Sequence, residues 1–306
     1  MKKVILLFCL AFAAIAQAQN TEKEVANNTE KAVKKLADTT EVEGWKSKGN
    51  VSLLFNQSSF SNWVAGGENN LSGTAGINYD FNYKKKDITW DNKVLASYGL
   101  IQSRNAPYEK KTDDRFEFNS ILGKKAFGEW YYSFFLNFRT QFTRGYKYEN
   151  DPVTKVEFRT PYTNFMSPAY LTTGPGLFWK KNENLKVNLA PATSKITFVD
   201  SGFTLPDEAY FGVEQGKSMR YEFGFYASGY YKLNIMTNIS AENTLNLYTN
   251  YLEDPKNVDI DYSLNIVMRI NKYMSTNLSF QAIYDDNAFR GLQTREVFGL
   301  GVNFGF

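Results

Sequence analysis

From Gly49 onward, apolar and polar residues alternate with a period of two. In one run Leu71, Gly73, Ala75, Ile77, Tyr79, Phe81 and Tyr83 alternate with Ser72, Thr74, Asn78, Asp80 and Asn82. After a charged turn at 84–87 the period returns as Ile88, Trp90, Val94, Ala96, Tyr98 and Leu100, with Asp91, Lys93 and Ser97 on the other face. A period of two held this long predicts strands, not helices. The same pattern recurs near 130–142, 219–228, 258–270 and 278–284, and more weakly near 50–60, 114–124, 167–180, 184–199, 236–251 and 295–306. The count is about twelve strands, with ten or fourteen also open, because Pro175 and Pro191 interrupt the segment between Tyr170 and Val199.

The connections alternate in kind. Short polar turns fall at 84–87, 123–129, 181–184, 232–235 and 271–274. Mostly longer links fall near 61–70, 101–113, 143–166, 200–217, 252–257 and 286–294. Strands of about a dozen residues exceed the ~5–6 typical of soluble sheets and suit a tilted membrane crossing of ~9–11 residues. The predicted fold is therefore all-β: an antiparallel transmembrane β-barrel with short periplasmic turns and longer extracellular loops. An even strand number puts both termini on the periplasmic side. A soluble sandwich or lipocalin-like barrel would also alternate, but with shorter strands.

Composition supports this reading. The 306 residues include 25 Phe, 20 Tyr and 5 Trp at a mean hydropathy of −0.43. A polar average with a heavy aromatic load fits a barrel in which alternate residues meet lipid and aromatic girdles mark the interfaces.

The beginning of the chain reads as an export signal over 1–18: Lys2 and Lys3, an apolar run from Val4 to Ala16, then the small-x-small pattern of Ala16, Gln17 and Ala18. A polar periplasmic lead follows over 19–48, a flexible stretch or a short helix, and the barrel occupies 49–306. Losing Lys2 and Lys3 from the 35 Lys and Arg leaves 33 against 32 Asp and Glu. Such near neutrality argues against nucleic acid as a partner. Cys9, the only cysteine, lies in the signal, and the chain has no histidine. No His- or Cys-ligated metal is expected, and no cofactor. Hydrolases of the acyl type need a histidine base, so no enzyme activity is expected either; Asp259 and Asp261, two apart on one polar face, read as a solvated or salt-bridged pair.

If the aromatic faces meet lipid, the opposite faces line the lumen. They contribute Asp91, Glu117, Glu222, Glu242, Asp259 and Asp261 as acids, and Lys93, Arg115, Arg139, Lys186, Arg220 and Arg269 as bases. Six against six reads either as a mutual salt-bridge network packing a narrow interior or as a polar pathway for a small solute. The inner face of the last strand is Gly299, Gly301, Asn303 and Gly305, small residues that permit close approach. Its outer face runs Phe298, Leu300, Val302, Phe304 and Phe306. Ending on such a strand resembles bacterial outer-membrane barrels, whose assembly machinery reads it, so Phe304 and Phe306 are the candidate assembly signal.

The most distinctive local segment runs F-S-N-W-V-A-G-G-E-N from Phe60 to Asn69. Gly66 and Gly67 permit a tight turn. Trp63 suits the outer aromatic belt, or, with Glu68 and Asn69, a binding loop at the mouth. This run, after a polar lead and Gly44-Trp45, resembles a Bacteroidota family of outer-membrane barrels known as domain of unknown function 3078. The resemblance implies an outer-membrane location and transfers no substrate or catalytic residue. The sequence thus points to an outer-membrane barrel whose partners are membrane lipid and the barrel assembly machinery. Its expected role is a narrow channel or transporter component for a small polar solute. The alternative is a structural or accessory barrel that binds partner proteins through its loops or lead.

Overall fold

The computed structural model describes residues 43–59, 69–104, 106–204, 210–287 and 289–305. The export segment 1–18, residues 19–42 of the lead, Trp63, Gly66, Gly67, Glu68 and Phe306 lie outside them.

Alternating β-branched, aromatic and polar residues form fourteen strands: β1 (Gly44–Ser58), β2 (Asn70–Lys85), β3 (Ile88–Ser103), β4 (Lys110–Phe127), β5 (Trp130–Thr140), β6 (Gly145–Asn150), β7 (Glu157–Thr163), β8 (Ala169–Asn182), β9 (Leu185–Phe198), β10 (Met219–Met236), β11 (Ile239–Asn250), β12 (Asp259–Arg269), β13 (Met274–Asp285) and β14 (Phe289–Gly305). Twelve of them close into an antiparallel barrel, each beside its neighbour in sequence except that β5 pairs with β8 and β14 returns to β1. Strand β1 begins at Gly44, ahead of the change of pattern at Gly49. Trp45 holds this extension by packing against Tyr83 and Trp90 at ring-centroid distances of 5.2 and 5.5 Å.

The five short turns share one end of the barrel and the long links share the other, but β4 runs on to Phe127 and β10 to Met236, so two of the turns are shorter or later than the expected 123–129 and 232–235. The link near 143–166 is more than a loop, because β6 and β7 form a separate hairpin there. Its own alternation spans only about six residues per strand, too few to read as sequence. Cations stacked on aromatic faces order it: Arg159 lies 4.6 Å from the Tyr108 ring and 4.3 Å from that of Tyr146, and Lys147 lies 4.0 Å from Tyr162. At the hairpin tip Asp151 accepts backbone hydrogen bonds from Thr154 (2.7 Å) and Val153 (2.9 Å), which hold its carboxyl below the usual range.

The link between β9 and β10 buries Val199, Tyr210 and Val213 against Tyr162, Phe203 and Phe211. The Tyr210 hydroxyl donates to the Tyr162 carbonyl, and burial pushes it up to about 12.

Pro175 and Pro191 mark a defect that the fold uses. The β8–β9 register shifts between Thr173 and Leu177, and the β9–β10 register shifts between Gly224 and Tyr226, so Pro191 and Ala192 bulge out of the ladder. A proline has no N–H to donate and is tolerated at such a bulge. Gly176 lets β8 approach β9 closely just before the bulge, since a Cβ there would lie 2.5 Å from the Leu189 carbonyl oxygen. The bulge also flips the parity of β9. Asn188 and Ala190 face inward before it, and Thr193, Lys195 and Thr197 after it.

Closure between β1 and β14 has its own requirement. A Cβ on Gly301 would collide with the Leu53 carbonyl, so the small inner face of β14 admits the first strand of the barrel itself.

Candidate functional site

The barrel is inside out. Among the described residues, nineteen polar or charged side chains are buried against twelve hydrophobic ones, while Phe55, Leu71, Phe134, Tyr221, Phe298 and Leu300 are exposed on the outer wall. A water-soluble domain buries its large apolar residues, and a contiguous apolar exterior of this extent meets lipid. The site is therefore the lumen, where charges leave water only in company.

Ion pairs fill the lumen in tiers. Toward the short-turn end, Asp91 accepts from Lys180 (2.8 Å) and Lys186 (2.7 Å). There too Glu242 accepts from Lys93 (3.1 Å) and Lys232 (2.6 Å). Mid-barrel, Arg115 pairs with Glu117, and Arg139 reaches Asp261 at 2.5 Å while its guanidinium lies 4.9 Å from the Tyr170 ring. Gln281 donates to the other Asp261 oxygen at 2.8 Å, and Arg295 pairs with Asp113. Lys195 is the most connected cation, 2.7 Å from Asp259, 3.3 Å from Asp285 and 3.5 Å from Glu222.

Sequence parity groups twelve charges on the inner faces, and the structure places them at different depths. Asp91, Lys93, Lys186 and Glu242 lie toward the short-turn end; Arg115, Glu117, Arg139 and Asp261 lie mid-barrel; Glu222 and Asp259 meet at Lys195. Arg220 stands nearer the long-loop rim, 3.6 Å from Glu222 and 2.7 Å from the exposed Glu253. Arg269 ends β12 in an exposed position. Of the loop motif only Asn69 is described, its carbonyl accepting from Arg104 N at 2.9 Å. Phe304 faces outward on β14 opposite Val51.

Two groups of lumen residues escaped the sequence reading. Lys195 sits beyond the parity flip at Pro191, and without the bulge it would be assigned to the lipid face. The other group is apolar: Phe135, Ala190, Tyr226 and Tyr248 cluster inside with Ile121, and the Phe135 and Tyr226 rings stack at 4.6 Å. A signal for Phe135 existed. Phe134 and Phe135 are adjacent, so strict alternation forces one of them into the lumen.

Cavities surround the mid-barrel pairs. The one toward the long loops is about 410 Å³ and reaches Phe211. A second of about 180 Å³ lies toward the short turns, one of about 80 Å³ adjoins Lys195 and Tyr248, and one of about 140 Å³ lies behind the β1–β14 closure. Arg115 lines three of them, and Arg139 lines two. These two guanidiniums are among the side chains that neighbouring cavities share. Asp259, Asp285 and Asp286 form the one carboxylate cluster with metal-ligand spacing among the described residues, and the Lys195 ammonium already bridges Asp259 and Asp285.

Among solved structures, the chain is similar to the translocator domain of the autotransporter NalP from Neisseria meningitidis, at 8% identity and a TM-score of 0.40, over 95% of this chain and 98% of that one. It is also similar to an outer membrane channel from Pseudomonas putida F1, at 8% identity and a TM-score of 0.37, over 87% and 96%. A third is the outer membrane channel DcaP of Acinetobacter baumannii, at 9% identity and a TM-score of 0.31, over 86% and 96%. No curated protein matches. Residues 55–146 match the model of a family described as "Protein of unknown function (DUF3078)", the same family that the run from Phe60 to Asn69 resembles.

Proposed function

We propose that this chain is an outer-membrane channel for small polar solutes, held narrow by ion-paired side chains across its middle, with the short turns and both termini on the periplasmic side. The observation that carries this reading is the position of Arg115. Its guanidinium lines the cavity near the long loops, the cavity near the short turns and the cavity behind the β1–β14 closure, so one ion-paired side chain borders all three. A pore that selects by rings of charged side chains needs such a constriction, and balanced pairs keep it from trapping either sign of ion. The role is passage, not catalysis.

The test is single-channel conductance of the full chain in planar lipid bilayers. Arg115→Ser with Glu117→Ser removes the pair without stranding a charge. We expect low conductance from the native chain and a several-fold increase from the double variant. Absence of conductance from both, in barrels that still migrate differently boiled and unboiled, would contradict the proposal.

A further inference from the structure

Between the charged tiers the lumen changes character. Asn119, Asn137, Asn188, Ser228, Asn246 and Ser263 form a belt of uncharged amides and hydroxyls around the cavity of about 180 Å³. Arg115 and Glu117 border it on one side, and Asp91, Lys93 and Glu242 on the other. Asn188, Ser228 and Asn246 make one row across β9, β10 and β11, each directly opposite the next. Phe135, Phe178 and Tyr226 supply an apolar wall to the same cavity.

Asn188 is the informative member. It is 3% exposed, and the Ser133 hydroxyl donates to its Oδ1 at 3.0 Å, which fixes the direction of the amide. Its Nδ2 is buried with no hydrogen-bond partner, in a residue that lines the cavity. A buried donor left unsatisfied is costly, and buried polar groups in proteins nearly always have a partner. The neighbouring amides are already oriented: Asn137 Nδ2 donates to Asn119 Oδ1 (2.5 Å), Asn119 Nδ2 to Glu117 (2.7 Å) and the Tyr226 hydroxyl to Asn246 Oδ1 (2.9 Å). The belt is preorganised, with one buried donor left unsatisfied.

We infer that this belt binds an uncharged, hydroxyl-bearing solute of single-ring size, such as a monosaccharide; the inference rests on the channel reading and names what would pause in that channel. Three features carry it. The charges bordering the cavity are held in ion pairs with one another, so a charged solute must break a pair to gain one. Amides and hydroxyls both donate and accept, as a polyol does. The volume is below the ~300–1,000 Å³ of sites for drug-sized ligands, and an aromatic wall covers the C–H face of a ring.

Saturation-transfer NMR on the full chain in micelles tests this, with D-glucose as the probe and glycine and lactate as zwitterionic and anionic comparisons. D-Glucose is expected to bind at least fivefold more tightly than either. Asn188→Leu should weaken it at least fivefold, and Ser228→Val, a second variant in the same row, should weaken it too. Ser97→Ala, in the cavity behind the β1–β14 closure, should leave it unchanged. Equal or tighter binding of glycine or lactate would overturn the solute class, and unchanged glucose binding in both row variants would overturn the site. Conductance of the native chain separates the two proposals. Ion passage without glucose binding sinks this inference alone, and glucose binding without ion passage sinks the channel alone.

Discussion

Phe134→Arg is expected to cost the barrel about 2–4 kcal/mol, the range for a basic residue placed on the lipid face near the bilayer midplane. Phe134 is 53% exposed, in the middle of β5, with Leu122 and Pro175 beside it on the neighbouring strands. In a water-soluble protein, replacing so exposed a phenylalanine by arginine changes stability by at most about 0.5 kcal/mol. The prediction therefore turns on what lies outside the wall. In lipid the guanidinium must lose water or drag it into hydrocarbon. Urea unfolding in lipid vesicles measures the effect, and a change within 0.5 kcal/mol would mean that the apolar wall does not face lipid.

Lys195→Met is expected to cost about 3–5 kcal/mol at neutral pH, as removal of one partner from a buried ion network does. The variant keeps the length and most of the packing of the side chain but leaves Glu222, Asp259 and Asp285 facing one another. Glu222, 2% exposed, has the least access to water. Urea unfolding in lipid vesicles measures the loss. A loss below about 1 kcal/mol would show that Lys195 is not what holds the three acids together.

The period of two made the barrel legible, because lipid outside and polar groups inside impose opposite chemistry on successive residues. Strand number and the alternation of short and long connections followed from the same signal, so the links could be sorted before any pairing was known. Three things were hidden, each for a physical reason. Parity is a local rule, and the bulge at Pro191 resets it, so Lys195 could not be assigned inward by counting. The partners of lumen charges lie across the barrel: Lys93 meets Glu242 and Arg139 meets Asp261, residues brought together only by closure. Finally, Phe135 and Tyr226 come from β5 and β10, and their stacking across the lumen depends on closure, which parity along a single strand does not show.

The most direct measurement of the central claim is a cysteine scan along β12 in a Cys9→Ser background, which leaves a single thiol per chain. Positions 259, 261, 263 and 265 should react with a small charged thiol reagent in water. Positions 260, 262, 264 and 266 should resist it and respond instead to a quencher dissolved in the lipid. That alternation, with charged access on the Asp259 and Asp261 face and lipid access on the Ile260 and Tyr262 face, is the result predicted by a polar lumen inside an apolar wall. Equal reactivity on both faces, or the opposite alternation, would contradict it.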